Sequence, residues 1–503
     1  MTLRFYDTAT AEVRDFVPLI EGQASLYYCG ATVQSEPHIG HLRSALVFDQ
    51  LTRWLQAKGL KTTVVRNVTD IDDKILAKAA EAGEEWWARA YRYEQQFNAA
   101  YDKLGISRPD YEPRATGHIP EMHTLIQDLI DGGHAYPASD GSGDVYFDVR
   151  SWAKYGSLTN QNIDDMQAAA DADPRGKKDP RDFALWKGRK AEEPATASWP
   201  SPWGPGRPGW HLECSAMVGK YLGDAFDIHG GGLDLRFPHH ENEMAQSQAA
   251  GKPFANFWMH NGLVAYRGEK MSKSIGNVVG PDELFVQASP RVVRYYLGQA
   301  HYRSVLDYSP ESLGEAAAAL GRIDNFFERA VDIIHRIDPT VDDGEVPEAF
   351  AKAMDDDLNV PKALATLHET VRTGNVALSE LVRSARNGGV DGLSGVGTAL
   401  NHVSAMTRIL GIHRYLFYAN SNDFVGTEKT VEGLDSLINP ELSIEEKALG
   451  SLVQARLAQR QTARNEKNWA RSDEIRDELA EAGIKIEDSS NGATWSIERK
   501  QQR

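Results

Sequence analysis

Four side chains of metal-binding type are the most chemically informative residues of this sequence. Cys29 and Cys214 are its two cysteines. His239 and Glu243 lie four residues apart in the segment FPHHENEMAQ, so on a helix both side chains would point from the same face. Two thiolates, one imidazole and one carboxylate are a suitable ligand set for a tetrahedral Zn²⁺ ion. A zinc site is therefore one interpretation of these residues.

Other interpretations of these acidic, imidazole and thiol groups stay open. Two cysteines so far apart in sequence are often buried, inert thiols, and their spacing is not that of a zinc finger. His240 and Glu241 are competing ligands that would face elsewhere on the helix, and HHENE is also typical of a capped, solvated helix start. The segment TDIDDK has the composition of a Mg²⁺ site, but we expect a structural role for Asp70, Asp72 and Asp73.

Two distant segments have the chemistry of a phosphate site. The segment HIGH places His38, Gly40 and His41 after a strand and at the start of a helix, where free backbone N–H groups and the helix dipole attract phosphate. Far downstream, GEKMSKSIGN places Lys270 and Lys273 three residues apart in a polar loop suited to a triphosphate. Alone, each segment is ambiguous, with core packing or a surface loop as the alternative. Together, on one α/β domain, they indicate a nucleotide site.

The elements that must position these groups alternate between strand and helix. SLYYCG (25–30) is typical of a buried strand, and residues 39–59 carry leucine and tryptophan at helical spacing. KTTVVRNV (61–68) is β-branched and strand-like, and DDKILAKAAEAG returns to helix. This order predicts the α/β class, with a parallel, Rossmann-like sheet.

The rest of the chain departs from that order. Residues 115–205 hold an amphipathic helix, a strand and a Pro/Gly/Trp-rich run, which we interpret as an insertion in the α/β domain. The sheet resumes with AFDIHGGG and FWMHNGLVAY, and the chain becomes helical beyond residue 310. We predict five segments, with a helical bundle as the fourth and a linker with a small last domain as the fifth: 1–114, 115–205, 206–310, 311–417 and 418–503.

Composition limits the class of protein. With 41% hydrophobic and 25% charged residues the chain is typical of a globular protein, and it holds no apolar run long enough for a membrane span. The N-terminus lacks the apolar core of a signal peptide. Two cysteines cannot form a disulfide framework, which favours a reducing cytoplasm. The net charge of −17 argues against a nucleic-acid partner unless basic residues are concentrated locally.

A basic stripe near the C-terminus provides such a local concentration. Its members are spaced by four, four, three and four residues, which predicts one helix face within an arc of about 80°. They are Arg456, Arg460, Arg464, Lys467 and Arg471. Trp469 and Trp495 nearby have rings that can stack on unpaired bases, or pack in a core. A solvated, self-paired helix is the alternative interpretation of the stripe.

Several long segments resemble a known family. The HIGH and KMSKS pair resembles the class I aminoacyl-tRNA synthetases, whose Rossmann fold activates an amino acid as its adenylate. Within that class, YYCGATVQSEPHIGHLRS, RNVTDIDDKI, GRPGWHLECSAM and FDIHGGGLDLRFPHHENEMAQS are similar to the cysteinyl-tRNA synthetases. The similarity runs from about residue 20 to the C-terminus. The stretch ATVQSEP departs from many members, and this departure lies outside the metal and phosphate groups.

The resemblance implies a set of site residues. It implies one Zn²⁺ per chain, held by Cys29, Cys214, His239 and Glu243. It implies that ATP binds with Mg²⁺, and that His38, His41, Lys270 and Lys273 act in catalysis. The residues implied to contact ATP are His38, Gly40, His41, Asp234, Lys270, Ser272 and Lys273. The residues implied to contact the amino acid are Cys29, Gly30, Thr32, Thr69, Trp210 and His229. Members of the family also carry a ring of histidines near the metal, which is matched here by His38, His41, His211, His229 and His239.

The resemblance also implies a reaction and its partners. L-cysteine would be activated by ATP and passed to the terminal adenosine of tRNA(Cys), with zinc selecting the substrate thiolate over the serine hydroxyl. The insertion would dock the acceptor end, and the region beyond residue 311 would contact the stem and the anticodon. The family suggests a cytoplasmic monomer with no membrane partner. The alternative is a ligase that joins activated cysteine to an amino-sugar amine; a non-catalytic descendant would be expected to have lost a ligand or a KMSKS lysine.

Overall fold

The structure of the chain is a computed structural model that falls into two compact units, 1–420 and 421–503. The residues it describes are 2–168, 176–271, 275–337, 345–385, 389–414, 457, 460–465, 468–481, 484–489 and 492–497. None of the helices in this part of the chain is both long and apolar enough to cross a membrane.

A four-stranded parallel sheet forms the centre of the first unit. Its strand order is β10-β9-β3-β4, and every neighbouring pair is parallel. The strands are β3 (Gln23–Tyr28), β4 (Lys61–Arg66), β9 (Ala225–Gly232) and β10 (Phe254–Asn261). The helices on and around this sheet are α1 (Ile39–Ala57), α2 (Asp73–Ala82), α3 (Trp86–Lys103), α5 (Trp210–Leu222) and α6 (Glu241–Ala249). The predicted α/β class with a parallel sheet is therefore confirmed.

Apolar periodicity explains the central strand and helix. β3 buries Leu26, Tyr27 and Tyr28 in succession, as expected of a strand covered on both faces. α1 is buried on nearly all sides, with Leu42, Leu46, Arg43 and Asp49 among its buried residues, as expected of a helix inside a large unit. Because β3 and α1 are consecutive, the turn between them opens at the carboxyl edge of the sheet, where parallel α/β folds bind ligands.

An N-terminal hairpin covers the outer edge of the sheet. Its strands, β1 (Arg4–Asp7) and β2 (Glu12–Asp15), are antiparallel. The Thr8 amide donates to the Trp258 carbonyl on β10 at 2.9 Å, and the Trp258 amide donates to the Asp7 carboxylate at 3.0 Å. The hairpin therefore protects an otherwise open strand edge.

The insertion is built around an antiparallel sheet between β4 and β9. Its strand order is β5-β6-β7-β8, and helix α4 precedes it. The bounds are α4 (Ile119–Asp131), β5 (Ala135–Pro137), β6 (Val145–Phe147), β7 (Phe183–Gly188) and β8 (Gly206–Pro208). A separate small sheet, β12-β11-β13, follows the central one. Its strands are β11 (Val264–Tyr266), β12 (Glu269–Lys270) and β13 (Leu306–Tyr308).

Helices make up the remainder of the first unit. They are α7 (Pro281–Gln287), α8 (Pro290–Gly298), α9 (Pro310–Ile337), α10 (Glu348–Asp355), α11 (Val360–Ala385) and α12 (Leu393–Ile409). Arg294 on α8 joins this region to α1: its buried guanidinium pairs with Asp49 and donates to the Leu410 carbonyl at 3.3 Å. Burial alone would raise the pKa of Asp49, but Arg294 and Arg53 lower it to about 2.

The second unit is described in part. It contains a helix, α13 (Trp469–Glu481), and a hairpin of β14 (Ile484–Ser489) and β15 (Gly492–Ile497). Ile475 and Leu479 of α13 pack with Leu457, and Ile486 contacts this small core.

Candidate metal centre and nucleotide site

The structure brings the four predicted metal ligands together. The sulfur atoms of Cys29 and Cys214 lie 3.8 Å apart, Cys214 Sγ lies 3.6 Å from His239 Nε2, and Cys29 Sγ lies 3.4 Å from Glu243 Oε1. In a tetrahedral zinc site, typical bond lengths give ligand separations of about 3.8 Å for S–S, about 3.6 Å for S–N and about 3.5 Å for S–O. The donor atoms therefore already have the spacing that such an ion requires.

The charges of these ligands favour a divalent cation. Burial raises the pKa of Cys29, and the neighbouring Cys214 raises it further. Burial opposes ionisation of Cys214 as well, but contacts with Cys29 and His239 lower its pKa to about 6. Burial works against the charged His239, yet Glu243 raises the pKa of this imidazole to about 10. Once one thiol is ionised, repulsion makes ionisation of the adjacent thiol unfavourable, and a bound dication would offset this repulsion.

Different elements supply the four ligands at one edge of the sheet. Cys29 directly follows β3, Cys214 lies on α5, and Glu243 lies on α6. His239 lies in the π-helical turn Arg236–His240, which continues directly into α6, so His239 and Glu243 keep the helical i, i+4 relation that their spacing predicts. The turn still presents the imidazole to Glu243, with Nε2 and Oε1 2.9 Å apart.

A second layer of histidines surrounds the ligands. His211 Nδ1 lies 3.0 Å from His239 Nδ1, which leaves Nε2 of His239 facing Cys214. His229 Nε2 lies 2.8 Å from Glu243 Oε2. Such outer contacts orient the ligands of metal sites and fix their tautomers. His240 Nε2 lies 3.3 Å from Cys29 Sγ.

The site also contains a second, overlapping set of donors. Cys29, His229, His240 and Glu243 offer ligand atoms within 4.8 Å of one another, as do the four predicted ligands. His240 was predicted to be a competing ligand that faces elsewhere on the helix; the predicted orientation is wrong, because its Nε2 lies 3.3 Å from Cys29 Sγ, which is close enough to compete.

Glu241, the other competing ligand, has a different role. Its buried carboxylate accepts hydrogen bonds from the amides of Gly156 at 2.8 Å and Thr159 at 3.0 Å, and from the Thr159 hydroxyl at 3.0 Å. The next residue, Asn242, accepts a hydrogen bond from the Tyr155 hydroxyl at 2.5 Å. Glu241 therefore faces away from the metal ligands, as its position on the helix predicts, and it does not compete for the ion. We call these contacts the insertion clamp.

The start of α1 forms the predicted phosphate side of the site. His38 is the N-cap of α1, and its Nδ1 accepts a hydrogen bond from the Gly40 amide at 3.2 Å. The His38 amide donates to His41 Nδ1 at 3.1 Å, and the two rings stack with centroids 3.7 Å apart. A side chain at Gly40 would press on the His38 ring, which explains the glycine. The two imidazoles are therefore held together over a helix N-terminus.

The second nucleotide segment is described only in part. Lys270 lies exposed on β12, and its backbone carbonyl accepts a hydrogen bond from the side-chain Nδ2 of Asn277 at 3.3 Å. Ser272 and Lys273 lie outside the described residues. Asp234, implied to contact the nucleotide, lies exposed in the turn Leu233–Leu235 just after β9.

The residues implied to contact the amino acid are connected with one another. A Cβ atom at Gly30 would overlap the Asn67 carbonyl oxygen, so only glycine fits there, and the Gly30 amide donates to the Asn67 side chain at 2.8 Å. Thr32 pairs with Thr69 in an isolated bridge, and the Thr69 hydroxyl donates to Glu213 Oε2 at 2.9 Å. Asn67 and Glu213 were not among the predicted site residues, because neither belongs to a recognisable short motif.

An aromatic ring covers one of the predicted metal ligands. The Trp210 ring stacks on that of His239, with centroids 4.2 Å apart and planes inclined by 20°. The ring of His229 stacks in turn on Trp258, with centroids 4.5 Å apart. Because Trp210 lies at the start of α5, one helix supplies both the aromatic cover and, through Cys214, a ligand.

The acidic residues of TDIDDK have structural partners. Asp70 accepts a hydrogen bond from the Thr116 amide at 3.0 Å, and Asp72 caps α2. Asp73 forms ion pairs with Lys187 at 2.7 Å and with Arg207 of the insertion. The expected structural role agrees with these contacts.

The basic stripe does not form one exposed helix face. Residues 460–465 and α13 are separate helices, since Asn468 between them is not helical. Arg460 is buried, Arg464 is half-buried, and Arg471 pairs with Glu474 at 2.6 Å. The prediction of a continuous face is wrong, because the helix is interrupted at Asn468, where the periodicity assumed a single helix. Arg456, Lys467 and the side chain of Trp495 lie outside the described residues, and Trp469 is exposed.

Family models match most of the chain. A model described as tRNA synthetases class I (C) catalytic domain matches residues 15–318. A model described as DALR domain matches residues 349–411, and one described as cysteinyl-tRNA ligase anticodon binding domain matches residues 446–495.

Relatives and solved structures agree with these matches. The chain is 73% identical to a cysteine–tRNA ligase of Renibacterium salmoninarum, with 100% of each chain covered. It is 65% identical to a cysteine–tRNA ligase of Pseudarthrobacter chlorophenolicus, with 99% of this chain and 100% of that one covered. A methionyl-tRNA synthetase of Mycobacterium tuberculosis in complex with methionyl-adenylate has the same fold, with a TM-score of 0.55, 19% identity, and 78% of this chain and 90% of that one covered. The chain therefore belongs to the cysteine–tRNA ligase family of the class I aminoacyl-tRNA synthetases.

Proposed function

We propose that the protein activates L-cysteine with ATP and transfers the cysteinyl group to the terminal adenosine of tRNA(Cys). The observation that carries this proposal is the buried cluster of Cys29, Cys214, His239 and Glu243 at the sheet edge where α1 begins. A thiol-selective metal centre beside a phosphate-binding helix start suits an enzyme that must join cysteine to a nucleotide. The full-length similarity to cysteine–tRNA ligases supports it.

The metal of this centre is proposed to be Zn²⁺, one ion per chain. Two sulfur, one nitrogen and one oxygen donor at tetrahedral spacing suit zinc better than Mg²⁺ or Ca²⁺, which prefer oxygen. When bound, the ion would supply a ligand position for the substrate thiolate, which a hydroxyl fills poorly. We propose that Trp210 covers the amino acid, and that Gly30, Thr32, Thr69 and His229 line its pocket.

The residues of the chain are proposed to act on ATP by placement and charge. His38, His41 and the backbone N–H groups at the start of α1 would hold the phosphates, with Mg²⁺ bound to ATP. Lys270 and Lys273 would balance the charge that develops as the substrate carboxylate attacks the α-phosphate. A carboxylate–phosphorus bond forms as the bond to pyrophosphate breaks. A ribose hydroxyl of tRNA then attacks the acyl carbon, and AMP leaves.

The remaining assignments are part of the same proposal. We assign ATP contacts also to Gly40, Asp234 and Ser272, acceptor-end docking to the insertion, and stem and anticodon contacts to the segments beyond residue 311. Transfer to an amino-sugar amine is not favoured, since the chain carries the anticodon-binding segment of the tRNA ligases. We propose a monomer acting in the cytoplasm, where the two free thiols would stay reduced.

The test is ATP–pyrophosphate exchange with cysteine and with serine, before and after metal removal by a chelator. We expect exchange with cysteine alone, its loss on metal removal, and its return with Zn²⁺. Cysteine-dependent acylation of tRNA(Cys), with no product from an amino sugar, would establish the second step. Exchange that keeps its rate and its selectivity without metal would refute the role of the metal centre.

A further inference from the structure

One buried arginine of α1 holds four backbone carbonyls that belong to other segments. Arg43 is only 1% exposed. Its Nη1 donates to the carbonyls of Gly262 at 3.1 Å and Leu263 at 2.7 Å. Its Nη2 donates to the carbonyls of His301 at 3.2 Å and Ser304 at 2.5 Å. A guanidinium can only donate and a carbonyl can only accept, so the direction of each hydrogen bond is fixed.

The charge of Arg43 is buried without an acidic partner. Burial lowers the pKa of its guanidinium to about 10, so the group is still charged at neutral pH. No carboxylate of the described residues forms an ion pair with Arg43, whereas the equally buried Arg294 pairs with Asp49. A buried charge is costly unless hydrogen bonds compensate it. The four carbonyls therefore provide the compensation for Arg43, and the arginine in turn holds them together.

The four carbonyls lie in two segments that lead into neighbouring strands of the small sheet. Gly262 and Leu263 come directly before β11, and His301 and Ser304 come shortly before β13, which is parallel to β11. The Leu306 amide donates to the Leu263 carbonyl at 3.0 Å. A Cβ atom at Gly262 would lie 2.3 Å from the Ser304 carbonyl oxygen. The two segments are therefore packed backbone against backbone, and one guanidinium holds both.

The same small sheet carries a lysine that is proposed to act on ATP. Lys270 lies on β12, which pairs with β11. Arg43 lies two residues after His41, near the helix start that is proposed to hold the phosphates. Beside Arg43, the Ser44 hydroxyl lies 2.9 Å from Oδ1 of Asn261 at the end of β10. The side chain of Arg43 therefore connects the two groups of residues that are proposed to act on one triphosphate.

We infer that Arg43 is a positioning residue for the activation step, which holds the hairpin of β11 and β12 at a fixed distance from the start of α1. This inference rests on the proposed function of His38, His41 and Lys270. Contacts with charge that develops in the transition state contribute to kcat, and a displacement of about 1 Å can lower the rate about 100-fold. The segments that Arg43 holds carry none of the predicted metal ligands, so its replacement should leave the metal centre unchanged.

Lysine at position 43 keeps the charge and removes the fork of donors. In Arg43→Lys a single ammonium group cannot hold two segments as the planar guanidinium does. Arg294→Lys is the matched control, because Arg294 is equally buried and also donates to carbonyls, those of Leu104 at 3.0 Å, Gly105 at 2.9 Å and Leu410 at 3.3 Å. None of these three residues belongs to the small sheet or to the segments that lead into it. We expect both variants to lose stability, but only Arg43→Lys to lose activation.

The experiment measures ATP–pyrophosphate exchange by the full-length variants at a temperature where circular dichroism shows each of them folded. For Arg43→Lys we expect kcat to fall between about tenfold and about 100-fold, while KM for cysteine stays within about twofold of the parent. Arg294→Lys should keep kcat within about threefold of the parent. Because Arg43 is inferred to act by placing Lys270, combining Arg43→Lys with Lys270→Met should lower kcat little further than Lys270→Met alone. Full kcat in Arg43→Lys or in Lys270→Met would overturn the inference, as would effects that multiply in the double variant.

Amide hydrogen exchange provides a readout that does not depend on activity. The Leu306 amide donates to the Leu263 carbonyl, and the Gly262 amide donates to the Tyr302 carbonyl at 2.7 Å, so both amides report opening between the two segments. In Arg43→Lys we expect these amides to exchange at least about tenfold faster than in the parent, and in Arg294→Lys we expect no change. Unchanged hydrogen exchange in Arg43→Lys would overturn the inference. A parent protein without cysteine-dependent pyrophosphate exchange would instead refute the proposed function, so the two failures are distinguishable.

Discussion

The insertion clamp gives the sharpest local prediction. Replacing Glu241 by glutamine leaves one acceptor oxygen where the carboxylate has two. The glutamine side chain has two orientations. In the better one, its oxygen keeps the hydrogen bonds from Thr159. Its NH₂ group then faces the Gly156 backbone N–H, and no hydrogen bond forms because both groups are donors. The loss is one hydrogen bond to a charged group and one buried amide without an acceptor, which costs about 2 to 3 kcal/mol in total.

This cost has a direct readout in hydrogen exchange. The Gly156 and Thr159 amides exchange only when the clamp opens, and each 1.4 kcal/mol changes the open population tenfold. We expect exchange in peptides that cover residues 152–160 to accelerate roughly 30- to 150-fold in Glu241→Gln. Mass spectrometry at constant pH and temperature measures it.

A matched variant in the same insertion controls for unrelated charge effects. Glu192 is exposed, so Glu192→Gln should leave the exchange unchanged. Acceleration of less than about threefold in Glu241→Gln, about 0.7 kcal/mol, would mean that the carboxylate does not hold the loop and would refute the reasoning.

Two further predictions concern the metal and the ion pair of α1. Cys214→Ser removes one thiolate of the predicted ligand set, so we expect bound zinc, measured by atomic emission on gel-filtered protein, to fall well below one ion per chain; full occupancy would contradict the assignment of Cys214. The pKa of Asp49 is lowered to about 2 by Arg294 and Arg53 against the opposing effect of burial, so its ionic contacts contribute stability above pH 4 that is lost as the pH falls towards 2. We expect the free-energy gap between the parent and Asp49→Asn to shrink by about 2 kcal/mol over that range, followed by urea unfolding; a gap that does not change with pH would contradict it.

The sequence was sufficient for the metal ligands for a specific physical reason. Soft donors are rare in this chain, and His239 and Glu243 are spaced so that a helical turn brings both to the same side. The same rule placed Glu241 on a different side of the helix from Glu243, but it could not show what Glu241 contacts. The partner of Glu241 is the insertion loop, whose Gly156 and Thr159 amides donate to its carboxylate. This contact spans more than 80 residues of sequence, so no local pattern predicts it.

Other parts of the site are invisible to local patterns. The contact of Arg43 with the Ser304 carbonyl spans 261 residues, and no spacing rule links an arginine to a backbone carbonyl so far away. The prediction for the basic stripe was wrong for a different reason. Its periodicity assumed an unbroken helix, but the chain leaves the helix at Asn468 and buries Arg460. Short-range periodicity predicts secondary-structure elements, whereas tertiary packing decides which face of an element is exposed to solvent.

The anchoring of the N-terminal hairpin has a consequence for the order of assembly during synthesis. The Tyr6 amide donates to Asp357 at 2.8 Å, across 351 residues of sequence. At about 5 to 20 residues per second, roughly 20 to 70 s separate the translation of these partners. The first residues to leave the ribosome therefore wait for this partner until most of the first unit has been synthesised.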